Sequence, residues 1–192
     1  MFWTLLFIAG IAQGVFLISI LLLRRNNNPA ALWLITTMVV FMILVNFDFL
    51  VTTSGIYHQV PWFFGISFAS MFAFGPLFYL YACSIMDSAF KWRPVYLLHF
   101  IPWLLKFLHN IGLIKLPAVT KIAIIDEFLD GRSLMGLQDI IVLSLQILHL
   151  AVYLVLSRRL IRQKQEQYIS EPFQIPFEKR KKWAKTRLYA GA

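Results

Sequence analysis

The chain has 192 residues, 59% of them hydrophobic, and a mean hydropathy of +0.70; soluble domains run at about 45–50% apolar, so one soluble core is excluded. Its formal net charge is +9, and ten of the 18 Lys and Arg follow Leu156 against only Glu166, Glu171 and Glu178. That placement points to anionic lipid on a cytoplasmic membrane face rather than to nucleic acid. A single cysteine, Cys83, excludes an internal disulfide and reads as a small packing residue. The Cys and His spacing of a metal site is missing, so neither a metal nor a cofactor is expected.

Five apolar runs follow one another: Phe2 to Leu23, Ala31 to Val51, Trp62 to Ile85, Val95 to Ile114 and Leu137 to Leu156. Each comes close to the roughly 20 residues that cross a bilayer as a helix. The first has no basic residue before Arg24, unlike a signal peptide, and reads as a retained helix. Gly10 and Gly14 in it stand at the spacing that lets helices approach closely, within the chain or in a homodimer. Arg24 and Arg25 then lead through a short polar turn to Pro29.

The second run ends near Asn46, Asp48 and Thr52, before an uncharged loop with Gly55 and Pro61. In the third, Gly75-Pro76 predicts a kink, because proline lacks a backbone donor and crowds the preceding turn. Lys91 and Arg93 follow it. The fourth starts at Pro94 and holds a second internal proline, Pro102. Between Lys115 and Gly136, Val119, Ile122, Ile125, Phe128 and Leu129 recur at helical spacing, with Thr120, Lys121, Asp126 and Glu127 opposite. This predicts a short amphipathic helix stopped by Gly131, lying at the membrane interface or closing over a pocket as a lid.

The fifth run continues into a polar segment, Ser157 to Gln167, which extends the helix beyond the bilayer until Pro172 and Pro176 end it. Two units result: a bundle over residues 1–156 and a basic tail or linker over 157–192. An apolar run restarts at Leu188, as if a sixth helix were about to begin. The basic loops follow the first, third and fifth runs, so the amino end is expected outside and the carboxyl tail in the cytoplasm. The fold class is an all-α polytopic transmembrane bundle of five spanning helices. Arg158, Arg159, Arg162, Lys179, Arg180, Lys181 and Lys182 are expected to meet anionic lipid.

Ionisable groups at bilayer depth cost at least about 2.5–3.5 kcal/mol near the centre and need partners or water. Asp139, Gln146, His149 and Tyr153 share one face of the fifth helix. His99, Lys106 and His109 recur on the fourth, and Asn46 and Asp48 lie on the second. Asp48, Lys106 and Asp139 are placed to compensate one another. Two readings stand: a pocket for a small ligand open to the outside, or hydrogen bonding between helices. No nucleophile–base pair, phosphate-binding loop or HExxH element is present, so an enzyme is not expected.

Several short elements resemble one family. The first helix carries Gly10, Gln13 and Gly14 and closes on Leu-Leu-Leu-Arg-Arg. A Gly-Pro-Leu-x-Tyr-x-Tyr element is formed by Gly75, Pro76, Leu77, Tyr79 and Tyr81. A Leu-Leu-His-Phe-x-Pro element is formed by Leu97, Leu98, His99, Phe100 and Pro102. In these features the chain resembles the polytopic membrane domains that precede the DNA-binding domain in AraC-type helix-turn-helix transcription regulators of bacteria, especially Bacteroidetes. The resemblance implies a sensor domain in the inner membrane that controls transcription, with DNA reached only through a further domain that this sequence does not contain. The chain then reads as the front of a longer protein, a truncated reading frame, or a sensor separated from its output. Kinks at Gly75-Pro76 and Pro102 would allow two packings of the bundle. The alternatives are a small transporter or channel subunit, or a sensor with a different output such as a kinase.

Overall fold

A computed structural model of the chain describes residues 2–23, 28–87, 90–132 and 136–170. Arg24 and Arg25, the tail residues Lys179, Arg180, Lys181 and Lys182, and the run from Leu188 lie outside the described residues. Six α-helices, and no strand among the described residues, make up the fold: α1 (Phe2–Leu23), α2 (Pro29–Thr53), α3 (Met71–Met86), α4 (Ile101–Ile114), α5 (Ala118–Leu129) and α6 (Leu137–Ser170). Short 3-10 segments occupy Ile56–His58, Pro61–Phe63, Ser67–Ala69 and Pro94–Phe100.

Four stretches are long and apolar enough to cross a membrane: Phe2–Leu23, Pro29–Thr53, Pro94–Ile114 and Leu137–Gln167. A fifth is the pair Pro61–Ala69 and Met71–Met86, bent by 44° where they join. The chain is a multi-pass membrane protein. Its surface agrees: α1 has no buried residue, and Phe16, Leu23, Trp33 and Ile147 are more than half exposed. So much apolar surface is tolerable against lipid and not against water.

Helices in lipid gain little from apolar burial and associate by close contact and hydrogen bonds. Small residues supply the contact here. A methyl group on Gly14 would stand 2.6 Å from Ile43 Cγ1, and one on Gly10 would stand 2.9 Å from Asn46 Oδ1. The GxxxG pair therefore seats α1 on α2, the within-chain alternative. Leu34 of α2 meets Ala73, Leu77 and Leu80 of α3, with Phe41 and Trp103 packed against them. α3 carries the most buried residues of any helix, including Pro76 and Ser84. It is the central strut, touching α2, α4 and α6. Asn28 ties two ends of the bundle together: its carbonyl oxygen accepts from Ala31 N–H at 3.0 Å, capping α2, and its amide donates to Ser84 O at 2.7 Å.

Both proline expectations are refined. α3 runs helical through Pro76, and the bend lies at Ser70, six residues earlier. Proline burdens the carbonyl four residues before it, here that of Phe72 in the first turn of α3, so its effect falls just inside the helix and not at the bend. In the fourth run, Pro102 stands in the first turn of α4, where its missing donor matters least. The Leu98 carbonyl, which a residue at 102 would normally bond, instead accepts from Ile101 N–H. That bond closes a seven-residue 3-10 segment, long for such geometry.

The helix expected after Lys115 is present as α5, and Gly131 follows it at φ +67°, a left-handed conformation suited to glycine at a helix end. Its orientation differs from expectation. Lys121 is only 3% exposed and donates to Ile114 O at 2.7 Å, whereas Val119 is 79% exposed. Ile125 packs with Val51 and Tyr57, so α5 docks on the 3-10 turns after α2 along its Lys121–Ile125 edge. The carbonyl of Ile114 at the end of α4 needs a donor, and Lys121 supplies it.

Candidate functional site

Gly75 lies on the face of α3 that meets α6. A methyl group there would stand 2.9 Å from Tyr153 Cδ2 and 3.1 Å from its Cβ and Cγ. The absent side chain is what lets the Tyr153 ring lie on the α3 backbone. Its hydroxyl reaches His99 Nδ1 at 2.8 Å, with the direction of donation set by the histidine tautomer. Tyr79 borders both rings, at centroid distances of 5.7 Å from His99 and 6.0 Å from Tyr153. His149, one turn before Tyr153, stands edge-on to it at 4.8 Å and to Phe72 at 5.4 Å. Both ring nitrogens of His149 are buried without a hydrogen-bond partner among the described residues. An unsatisfied buried polar group costs about 1–3 kcal/mol. The cluster thus joins three separate parts of the chain and contains one histidine whose bonding capacity is unspent.

The remaining expected polar residues are placed differently. Asp48 is buried and accepts from the Ser67 hydroxyl at 2.5 Å. Neither Lys106 nor Asp139 joins it: among the described residues no ion pair links the three. Among the described residues Lys106 makes no ion pair with the Asp139 carboxylate. That carboxylate accepts from Gly136 N–H at 3.0 Å, closing the first turn of α6, where negative charge suits the helix dipole. His109 stands 3.3 Å from the Gln138 amide nitrogen. Gln146 donates to Phe68 O at 3.3 Å, and the Asn46 amide donates to its own helix at Met42 O at 2.9 Å. The shared face of α6 therefore divides: Asp139 and Gln146 stabilise chain ends and turns, while His149 and Tyr153 build the cluster.

Arg158 and Arg162 extend beyond the cluster on α6, and Arg162 Nε donates to Glu166 Oε1 at 2.9 Å. Gly75 and Pro76, the expected hinge on α3, are both buried, and Gly75 faces Tyr153 of α6. Two residues escaped the sequence reading. Ser67 answers Asp48 across nineteen positions, and only the carboxylate's need for a donor pointed to such a partner. Asn110 is buried and donates to Gly65 O at 3.4 Å; its position one turn after Lys106 on the polar face of α4 was the available sign.

At the other end, Tyr57 donates to Asp126 Oδ1 at 2.5 Å, and His58 Nε2 lies 3.9 Å from the same oxygen. The hydrogen bond to the carboxylate, then burial, then the neighbouring negative charges hold the Tyr57 phenol above its ordinary range. Among the described residues no group of three His, Cys, Asp or Glu could hold a metal ion. No family model matches the chain, and no curated protein or solved structure is similar to it.

Proposed function

We propose that the chain is the membrane-embedded sensory part of a bacterial transcription regulator, and that α6 carries the signal from the bundle to the cytoplasm. The observation that supports this is the unbroken course of α6 over 34 residues. At 1.5 Å per residue such a helix is about 51 Å long, against about 30 Å of hydrocarbon. One rigid element thus holds His149 and Tyr153 within the bundle and continues through Arg158 and Arg162. Positive-inside placement of the basic loops favours an amino end, a second loop and α5 outside, with the end of α6 in the cytoplasm. That assignment, and the inner membrane as location, belong to the proposal.

The resemblance to AraC-type regulators supports a transcriptional output. Residues that carry the resemblance, Gly75, Tyr79 and His99, are those gathered around Tyr153. Binding of a small ligand, or a change in bundle packing, that alters the Tyr153 contacts would move α6 against α3. DNA would be met through a domain downstream of this chain, and no catalysis is assigned.

Moving a two-state equilibrium from 1:99 to 99:1 takes about 5.5 kcal/mol. One neutral hydrogen bond contributes about 1 kcal/mol, so the His99–Tyr153 bond acts together with the helix packing it accompanies. The test is a chimera of residues 1–192 with a reporter DNA-binding domain, compared at equal membrane abundance. His149→Phe and Tyr153→Phe should shift reporter output severalfold, whereas Phe16→Leu on the lipid face should not. Unchanged output from both cluster variants would refute the sensory role.

A further inference from the structure

We propose that α3 and α6 form a binding site for one anionic phospholipid where α6 leaves the hydrocarbon. A groove of about 490 Å³ opens between the two helices, with Phe78 and Leu154 at one end and Arg158, Ile161, Arg162 and Gln165 at the other. Leu154, Arg158 and Arg162 follow one another at intervals of four, so they form a single stripe along α6. Along that stripe the apolar wall gains two arginines over about 12 Å, their aliphatic stems beside Ile161 and their charged ends at the groove's edge. The change occurs where the apolar run of α6 ends at Leu156. Ser157 lines the groove between the two ends, buried and bonded within α6 to Tyr153 O at 2.8 Å.

The order of these chemistries matches a phospholipid lying along α6, with acyl chain against Phe78 and Leu154 and phosphate at the guanidinium groups. Arginine is suited to phosphate because its planar fork offers five donors. The Glu166 bond to Arg162 engages Nε and leaves the other donors of the fork in place. Two cations and an amide at that end, with no acidic side chain lining the groove among the described residues, favour an anionic headgroup over one that brings its own ammonium. The apolar end favours lipid over free phosphate. Arg159 is the internal contrast: it has the same charge and neighbours Arg158, but it does not line the groove. This site is independent of the sensory role.

The experiment uses the full chain in detergent micelles doped with phosphatidylglycerol or phosphatidylcholine of the same acyl chains, with bound lipid counted by native mass spectrometry. The wild type should saturate at one phosphatidylglycerol and retain phosphatidylcholine far less. Replacing both Arg158 and Arg162 by Gln should weaken retention roughly thirtyfold, taking each cation at its usual worth near an anionic surface. Arg159→Gln should leave it within about twofold. Leu154→Trp fills the apolar end without touching charge and should also reduce retention, with circular dichroism confirming the helical fold of every variant. Equal loss in Arg159→Gln would mean diffuse surface attraction and overturn the site. So would equal retention of the two lipids by the wild type, which needs no variant to fold, or full displacement by inorganic phosphate.

Discussion

Gly75→Ala tests the contact at the centre of the bundle. In an open helix interior, exchanging Gly for Ala gains up to about 1 kcal/mol. Gly112 offers that situation, since a methyl group there would meet nothing within 4 Å among the described residues. At Gly75 the new methyl would stand 2.9–3.1 Å from Tyr153 Cδ2, Cβ and Cγ. Cβ and Cγ are the root of the side chain and cannot swing away, so α6 must retreat from α3. Overpacking of this kind costs about 1–3 kcal/mol. The following Pro76 adds to it, because a side chain before proline disfavours helical backbone. The Tyr153–His99 bond of 2.8 Å would be stretched by the same retreat. The assay is reversible unfolding in mixed micelles. Gly112→Ala should be neutral or stabilising and Gly75→Ala destabilising by about 1–2 kcal/mol net. With Tyr153→Ala in the background, the Gly75→Ala penalty should shrink by at least about 1 kcal/mol, since contacting residues couple on that scale. Equal effects at the two glycines, or strict additivity with Tyr153→Ala, would refute the close-contact account.

Ser67→Ala should cost about 1.5–3 kcal/mol by stranding the Asp48 carboxylate, and Ser67→Ala with Asp48→Leu should recover most of it; a double variant no better than the single would show that Asp48 finds another donor. Lys121→Met should speed hydrogen exchange in α5, corresponding to about 1–3 kcal/mol, because the Ile114 carbonyl loses its donor; a neutral outcome would return Lys121 to the solvent face. The Tyr57–Asp126 bond has an alkaline limit. Since the carboxylate holds the folded phenol above its unfolded value of about 10, the bond contributes fully below that value and is lost as pH rises through the higher folded one. Amide protection in residues 118–129, taken relative to the base-catalysed intrinsic exchange rate, should stay level from neutral pH to about 10 and then fall. In Tyr57→Phe that protection should start lower and show no alkaline step; a step surviving in that variant would assign the transition to another group.

The apolar runs by themselves located the four stretches, and the bent pair, that are long and apolar enough to cross, because a bilayer demands length and hydropathy that any reader of the chain can measure. The amphipathic α5, its stop at Gly131 and the extension of α6 past Ser157 were legible for the same reason: local periodicity and turn chemistry act within a few residues. What only the tertiary structure decided was partnership. The sequence offered Asp48, Lys106 and Asp139 as mutual partners, yet Asp48 took a serine and Asp139 capped its own helix. Identical faces of α4 and α6 were compatible with several rotations, and the choice fell to Gly75, whose missing side chain admits Tyr153 and thereby brings His99 and His149 to one place. Lys121 was written on the polar face of α5, and a carbonyl at the end of another helix drew it inward. In lipid the apolar pattern says which residues avoid water but not which neighbour they face, so the bundle was legible as a set of helices and its candidate site was not.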